Sequence, residues 1–388
     1  MPAGTGLSYS LSVSPTAVAL ISTAAAGDYY WRGAVNNSWI GFNNGNSNFT
    51  SDAAGTVNTN GTPGVNTRVI FSTVNATGPA VATTLDDSFN VSQLLFTSSP
   101  SGITSVAIGP GAVSTNSLTI TPTAATDGID VQDNAGAISI SAPIVLGAAQ
   151  AWKVSNVGTA SLSLTGGLSG GFALTKDGLG TLFVGGTDSR TGTTNLAAGV
   201  LQALSANSFS AVSAYTVASG ATLRLNGLAN AIGSLTGLGT VENGSATAAT
   251  LTLGGNNTDT TFSGILQNGG TANLGLTKVG AGMFILAGDN TYAGTTTVNA
   301  GILQIGNGTT GSITTGTSNT VVSGLASGKA TLRIVSGTSS TNALSVGNAN
   351  GAVGSVVVTG GSFTSLVSTD SVPGLGIGSA NGGFGVCI

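Results

Sequence analysis

The residues able to do chemistry in this chain are few, and histidine is not among them in any of its 388 positions. Its absence removes histidine general bases, Ser-His-Asp and Cys-His arrangements, and the ordinary zinc sites together. What remains is two sets of aspartates, Asp86 with Asp87 and Asp127, Asp130 and Asp133. They matter because paired carboxylates can share acid and base work on polysaccharides. On a strand, alternation places Asp86 opposite Asp87 and Asp130 opposite both Asp127 and Asp133, so neither set converges without a turn. Nor does either set have the alternate ligands, central glycine and distant glutamate of a calcium loop. The expectation is solvated turn residues, no bound metal and no cofactor. The GAG and GLG segments precede strands, not helices, and so cannot cradle a phosphate.

A second set concerns binding. Tyr29, Tyr30, Trp31, Trp39, Phe42 and Phe49 fall between Asp28 and Thr50, in a chain that is only 5% aromatic. Ring faces flanked by asparagine amides could stack on sugars. The same rings could instead plug the end of a repeating structure, and terminal repeats are atypical for that reason. The cap is the favoured reading.

The elements that must position these residues are short strands. RVIFSTV, QLLFTS, SLTITP and AISISAPIVL each end in Gly, Pro, Asn, Asp or Ser, as turn chemistry requires. Ile138 and Ile140 point one way; parallel coils of about three strands would bury one such face and stack it on the same types above and below. Leu7, Tyr9, Leu11 and Val13 alternate with Ser8, Ser10 and Ser12, which puts the apolar four on one face of a strand. Ala203 to Ala218 allows at most a short helical turn. Charged residues are 6%, against about 25% in an average domain, while 40% are hydrophobic. That combination folds instead of staying disordered. With a net charge of −4 and nine Lys and Arg, the chain has little with which to neutralise a phosphate backbone, so nucleic acid is not expected as a partner. Gly, Ser and Thr break every apolar run before the ~18 residues of a membrane helix. The single Cys387 has no intrachain partner for a disulfide.

The strands repeat. Ala173 to Ala203 aligns without a gap on the stretch ending at Ile305, Lys176 on Lys278, Gly178 on Gly280, Gly180 on Gly282 and Gly199 on Gly301, at a constant offset of 102. Leu276, Lys278, Gly280, Gly282, Gly288, Asn290, Thr291, Tyr292, Gly294, Thr296, Val298, Gly301 and Leu303 follow a pattern that resembles the passenger-associated strand repeat of bacterial autotransporters and related secreted β-helix proteins. The first copy departs at its centre, where Asp188, Ser189 and Arg190 replace Asn-Thr-Tyr. At roughly 20 residues per coil, the offset corresponds to about five coils. Lys176 and Lys278 recur with the repeat, and the expectation is a surface lysine whose stem covers a strand edge. Asp289 to Tyr292 reads as a turn covered by Tyr292.

The resemblance implies an all-β chain, a right-handed parallel β-helix with an aromatic-rich N-terminal cap, extracellular or on the bacterial cell surface. The expected divisions are an extended segment over 1–27, a capping module over 28–67 and a β-solenoid over 68–388 with repeats at 173–203 and 276–305. The expected role is structural or adhesive and non-enzymatic, with cell-surface glycans or further copies of the chain as partners. Self-assembly would run head to tail through the strand at Leu7, Tyr9, Leu11 and Val13. The alternatives are a polysaccharide-acting β-helix enzyme and a carbohydrate-binding module around Trp31 and Trp39. No basic n-region precedes Arg32, and Gly374 to Ile388 continues the glycine-rich text, so neither an export signal nor the family's membrane barrel is expected within these residues.

Overall fold

The computed structural model describes residues 7–14, 17–24, 26–59, 61–72, 78–98, 103–123, 127–155, 162–314, 319–322, 329–347, 352–365, 375–377 and 384–387. Among the described residues every regular element is a strand and none is a helix. The chain forms two compact units, Met1–Gly192 and Thr193–Ile388, and each is a parallel β-solenoid.

In the first unit, Leu7–Ser14 and Ala17–Ala24 form an antiparallel hairpin that pairs with no other described strand. Ala26–Trp31 then runs parallel to Asn66–Phe71 and antiparallel to Phe49–Thr50. From there the chain winds in three-strand coils. One face stacks Asn66–Phe71, Gln93–Phe96, Asp127–Val131, Gln150–Val154 and Leu174–Asp177. The next stacks Ala80–Thr84, Ser105–Gly109, Ala137–Ile140, Leu162–Leu164 and Thr181–Val184, and the third stacks Phe89–Val91, Leu118–Ile120, Ile144–Leu146 and Leu168–Ser169.

Why these residues make strands is visible in the register. Alternation sends every second side chain inward, and parallel pairing puts like beside like: Val81, Val106, Ile138, Leu162 and Leu182 form one inward row, and Phe89, Leu118, Ile144 and Leu168 another. Phe71 and Phe96, partners in register, stack with centroids 5.1 Å apart. Each row member is fully or nearly fully buried, worth roughly 1.5–3 kcal/mol apiece relative to exposure.

The second unit repeats the scheme. Leu201, Leu223, Val241 and Leu266 form one inward row, and Phe284, Leu303, Leu332 and Val356 another. Coil length is not the uniform 20 residues of the sequence reading. Partners are 19 residues apart from Met283 to Ile302 and 20 from Ala214 to Ser234, but 35 apart from Leu94 to Ile129. The surplus goes into corner loops, which leave the strand register intact. The segment read as a short helical turn, Ala203 to Ala218, is such a loop ending in the strand Ala214–Val217. Phe209 and Tyr215 are buried in it, and the Tyr215 hydroxyl accepts the Ser210 N–H at 3.1 Å.

Corners are where glycine is required. Gly301 has φ +64°, and a Cβ there would lie 2.5 Å from the Gly280 carbonyl oxygen and 2.6 Å from that of Gly282. Gly282 has an ordinary φ, yet its Cβ would meet the Thr258 carbonyl oxygen at 2.5 Å. Gly301→Val is therefore expected to destabilise the chain by roughly 2 kcal/mol or more, from left-handed strain and overlap with backbone. An unchanged denaturation midpoint would show that this corner relaxes freely.

Candidate functional site

The repeat places charge where the other rows place hydrocarbon. In Leu174-Thr175-Lys176 and Leu276-Thr277-Lys278, alternation puts the lysine on the same inward face as the leucine. Lys176 follows Trp152 in one inward row, and Lys278 sits between Leu253 and Val298 in another. Both side chains are buried, Lys176 at 0% exposure and Lys278 at 1%. The surface reading of these lysines is thus overturned.

The corner that follows explains how a cation is held there. Gly178 (φ +76°) and Gly280 (φ +71°) turn the chain left-handed just after each lysine, and the carbonyl oxygens of the turn point back at the ammonium. Lys176 Nζ donates to the Asp177 and Gly178 carbonyls at 2.9 and 2.7 Å. Lys278 Nζ donates to those of Val279, Gly280 and Ala300 at 2.7, 2.8 and 3.3 Å. The ammonium donors are thereby paired with corner carbonyls inside the coil, as a buried cation requires. Burial pulls both amines down to about 8, against the smaller opposing pull of Asp177 and Asp259.

Opposite this corner the two copies differ. In the second, Asn290 is buried, accepts the Leu266 N–H and donates to the Gly288 and Ser312 carbonyls, while the Tyr292 hydroxyl pairs with Thr296 Oγ1 at 2.8 Å. Burial raises the Tyr292 phenol well above its usual value. In the first copy Asp188 and Arg190 occupy these places as a buried ion pair, Arg190 Nη2 to Asp188 Oδ2 at 2.6 Å with Nε on the same carboxylate. One corner is filled by an amide and a phenol, the other by a carboxylate and a guanidinium.

The aspartates behave differently from their spacing. A bulge between Asp127 and Ile129 absorbs Gly128, so Asp127 and Asp130 both remain partly exposed on the same side of the strand instead of opposing each other. Asp130 is level with Lys153, and Lys153 with Asp177. Burial first, and then the charge of Asp127, raises the Asp130 carboxyl; burial chiefly raises Asp127. Asp86 sits at a corner with φ +58° and is held below the usual carboxylate range by hydrogen bonds from Ser38 and Thr84. Asp87 accepts the Ser88 N–H, and Asp133 lies exposed in a turn. Among the described residues no three His, Cys, Asp or Glu are placed to hold a metal ion.

Of the aromatic cluster, Tyr29, Trp31, Trp39 and Phe49 point inward, while Tyr30 is half-buried and Phe42 is exposed. Trp31 and Trp39 are 2% and 1% exposed and pack on Phe49 with centroids 5.1 and 5.6 Å away. Trp39 Nε1 donates to Thr83 Oγ1 at 3.1 Å. Buried rings offer no face to a sugar, which removes the carbohydrate-binding alternative at Trp31 and Trp39. The strand at Leu7, Tyr9, Leu11 and Val13 is one arm of the hairpin, each of its residues paired in register with one between Ala17 and Ala24. Cys387 lies at the end of the strand Phe384–Cys387.

Sequence reasoning missed one outward row in the second unit. Gln202, Arg224, Glu242 and Gln267 fall level on successive strands and join through Arg224 Nη1 to Gln202 Oε1 (3.2 Å), Arg224 Nε to Glu242 Oε1 (2.7 Å) and Gln267 Nε2 to Glu242 Oε2 (2.9 Å). Their separations of 22, 18 and 25 residues hide the alignment until the loop lengths are known. Two shallow grooves in this unit, one at Ala281, Gly301 and Lys329 and one at Thr250, Asn273 and Thr295, are walled by small residues and bring together no reactive set.

Residues 174–203 and 276–305 match the passenger-associated-transport-repeat family. Over 69 residues the chain is 48% identical to the adhesin BmaC autotransporter of Brucella suis biovar 1 (strain 1330), a match covering 17% of this chain and 2% of that adhesin. No solved structure matches. The chain is thus a parallel β-solenoid that carries two passenger-associated-transport repeats.

Two outcomes test the corner. Lys278→Met keeps the stem but leaves carbonyls without donors, at about 1–3 kcal/mol for each buried group orphaned, so a clear loss of denaturation midpoint is expected. The pH dependence has a definite sign. Below about pH 8 the amines are charged in both states and the cost of burying them is fully present; between there and the ordinary 10.5 the folded chain has released protons that the unfolded chain keeps. Stability should therefore rise over that interval, and the Lys176→Met, Lys278→Met double variant should flatten the rise. A midpoint in Lys278→Met equal to that of the parent contradicts the assignment.

Proposed function

We propose that this chain works outside the cell as a non-catalytic adhesive scaffold, its coils presenting an almost uncharged surface to glycans or proteins of a contacted surface. The observation that carries the reading is the pair of passenger repeats together with 48% identity to a segment of a protein named as an adhesin. Supporting it, no histidine is present, and the carboxylates that come together, Asp127 and Asp130, are neighbours of Lys153 on an outer face. The divisions over 1–27, 28–67 and 68–388 belong to this proposal, the second serving as the cap of the first coils.

The test is adhesion itself. Beads carrying the purified chain should bind epithelial cells above albumin-coated beads, and periodate treatment of the cells should abolish binding if glycans are the partner. Incubated with neutral and acidic polysaccharides, the chain should release no reducing ends. Turnover lost in Asp130→Asn would overturn the non-catalytic reading, and beads that bind no better than albumin would overturn the adhesive one.

Self-assembly is proposed as part of the same role, with the hairpin as the connector. Among the described strands Leu7–Ser14 and Ala17–Ala24 pair only with each other, and a lone two-stranded hairpin is marginal in water, which supports its taking a further strand from a neighbouring copy. A head-to-tail contact of this type extends into filaments unless its rotation closes a ring. Electron microscopy should show filaments of the intact chain and none for a variant lacking residues 1–14. Uniform monomers in the first sample, or equal filaments in both, contradict the mechanism.

A further inference from the structure

Five Asn-Gly pairs have both residues described: 44–45, 226–227, 243–244, 268–269 and 307–308. Asparagine before glycine carries a latent reaction, because the glycine backbone nitrogen is unhindered by a Cβ and can attack the asparagine side-chain carbonyl. In four of the pairs the structure ties down a group that must move. The Gly227 N–H is bound to Asn243 Oδ1 at 2.8 Å, the Gly244 N–H to the Asn268 carbonyl at 2.8 Å, and the Gly308 N–H to Ser336 Oγ at 3.3 Å. The fourth is held by its side chain, since Asn268 Oδ1 accepts the N–H groups of Leu274 and Ala293 at 3.0 Å each. Asn307 is restrained further by the Thr309 and Thr310 N–H groups on its Oδ1.

Asn44 and Gly45 stand apart. They form the tip of a two-residue hairpin loop between Phe42–Asn43 and Asn46–Ser47, with φ +49° and +80°, the signature of a type I′ turn. Both are exposed, and apart from its two chain neighbours nothing lies within 4 Å of where a Gly45 Cβ would be. In this turn the Gly45 N–H faces solvent. The left-handed turn must open before the nitrogen reaches the side chain, and the flanking strands of two residues each resist that opening little.

We infer that Asn44-Gly45 is a self-modifying site, the first of these five described pairs to deamidate. Water or hydroxide takes the proton from the Gly45 amide, and the nitrogen forms a bond to Asn44 Cγ. The bond from Cγ to the side-chain nitrogen breaks, and ammonia leaves with a proton from solvent. Water then opens the cyclic imide at either carbonyl, giving aspartate or isoaspartate at position 44. The first product adds a negative charge to a chain whose net charge is −4. The second routes the backbone through the side-chain carbon, which a type I′ turn cannot accommodate. The tip of the aromatic module then carries a record of how long the molecule has been exposed outside the cell.

The experiment is peptide mapping by mass spectrometry of the full chain aged in mildly alkaline buffer. Conversion at Asn44 is expected to run about tenfold or more faster than at Asn226, Asn243, Asn268 and Asn307, the factor that roughly 1.4 kcal/mol of local protection gives. In denaturant the five rates should converge, since all share the Asn-Gly sequence. Asn44→Gln and Gly45→Ala should each suppress the early product while leaving the other four sites unchanged. Comparable rates at all five sites in the folded chain, an earlier product at Asn307, or an unchanged ranking in denaturant would each overturn the inference.

Discussion

Everything in this structure depends on parallel backbone pairing between successive coils. Each strand is short, commonly three to five residues, and on its own would bury too little to order itself against conformational entropy. Stacked in register, the same strand contributes two or three inward side chains to rows that continue above and below. The register matters because a slip of one residue would turn every row outward. Continuity of the rows is therefore a constraint on composition, and explains why Leu, Ile, Val and Phe recur inside while Ser, Thr and Asn occupy the outer positions.

The corners are the complement of that constraint. Wherever the chain leaves a strand, carbonyls and N–H groups lose their ladder partners, and buried polar groups must be paired. The solutions differ from corner to corner. At Gly178 and Gly280 a buried ammonium supplies the donors; at Asn290 an amide supplies both donor and acceptor; at Asp188 a guanidinium and carboxylate pair within the corner. Charge inside an otherwise apolar column is costly; the two lysines meet it with corner carbonyls, and Asp188 and Arg190 with each other.

Much of this was legible in the residues. Alternation in AISIS and LSYSLSV and the turn residues between bursts predicted strands, and the constant offset of the repeat located the glycines that the corners require. The misreadings have physical causes. Residue type alone puts Lys176 and Lys278 on the surface, whereas parity with Leu174 and Leu276 puts them inside; the carbonyl cage that makes burial tolerable is a backbone feature with no signature beyond the nearby glycine. Asp127 and Asp130 obeyed parity on paper, but Gly128 bulges out of register and brings them to one side. The row from Gln202 to Gln267 depends on loop lengths that vary between coils, so no fixed period reveals it. Trp31 and Trp39 gave composition without direction, and only packing on Phe49 decided it.

The central claim is that the repeat's lysines are interior cations held by corner carbonyls. Nitrogen-15 labelling of lysine with NMR titration of the side-chain amines addresses it without altering the chain. The account predicts two ammonium signals whose protons exchange slowly with water and which titrate near pH 8. Rapid exchange at Lys176 and Lys278, with both titrating near the ordinary 10.5, would contradict it.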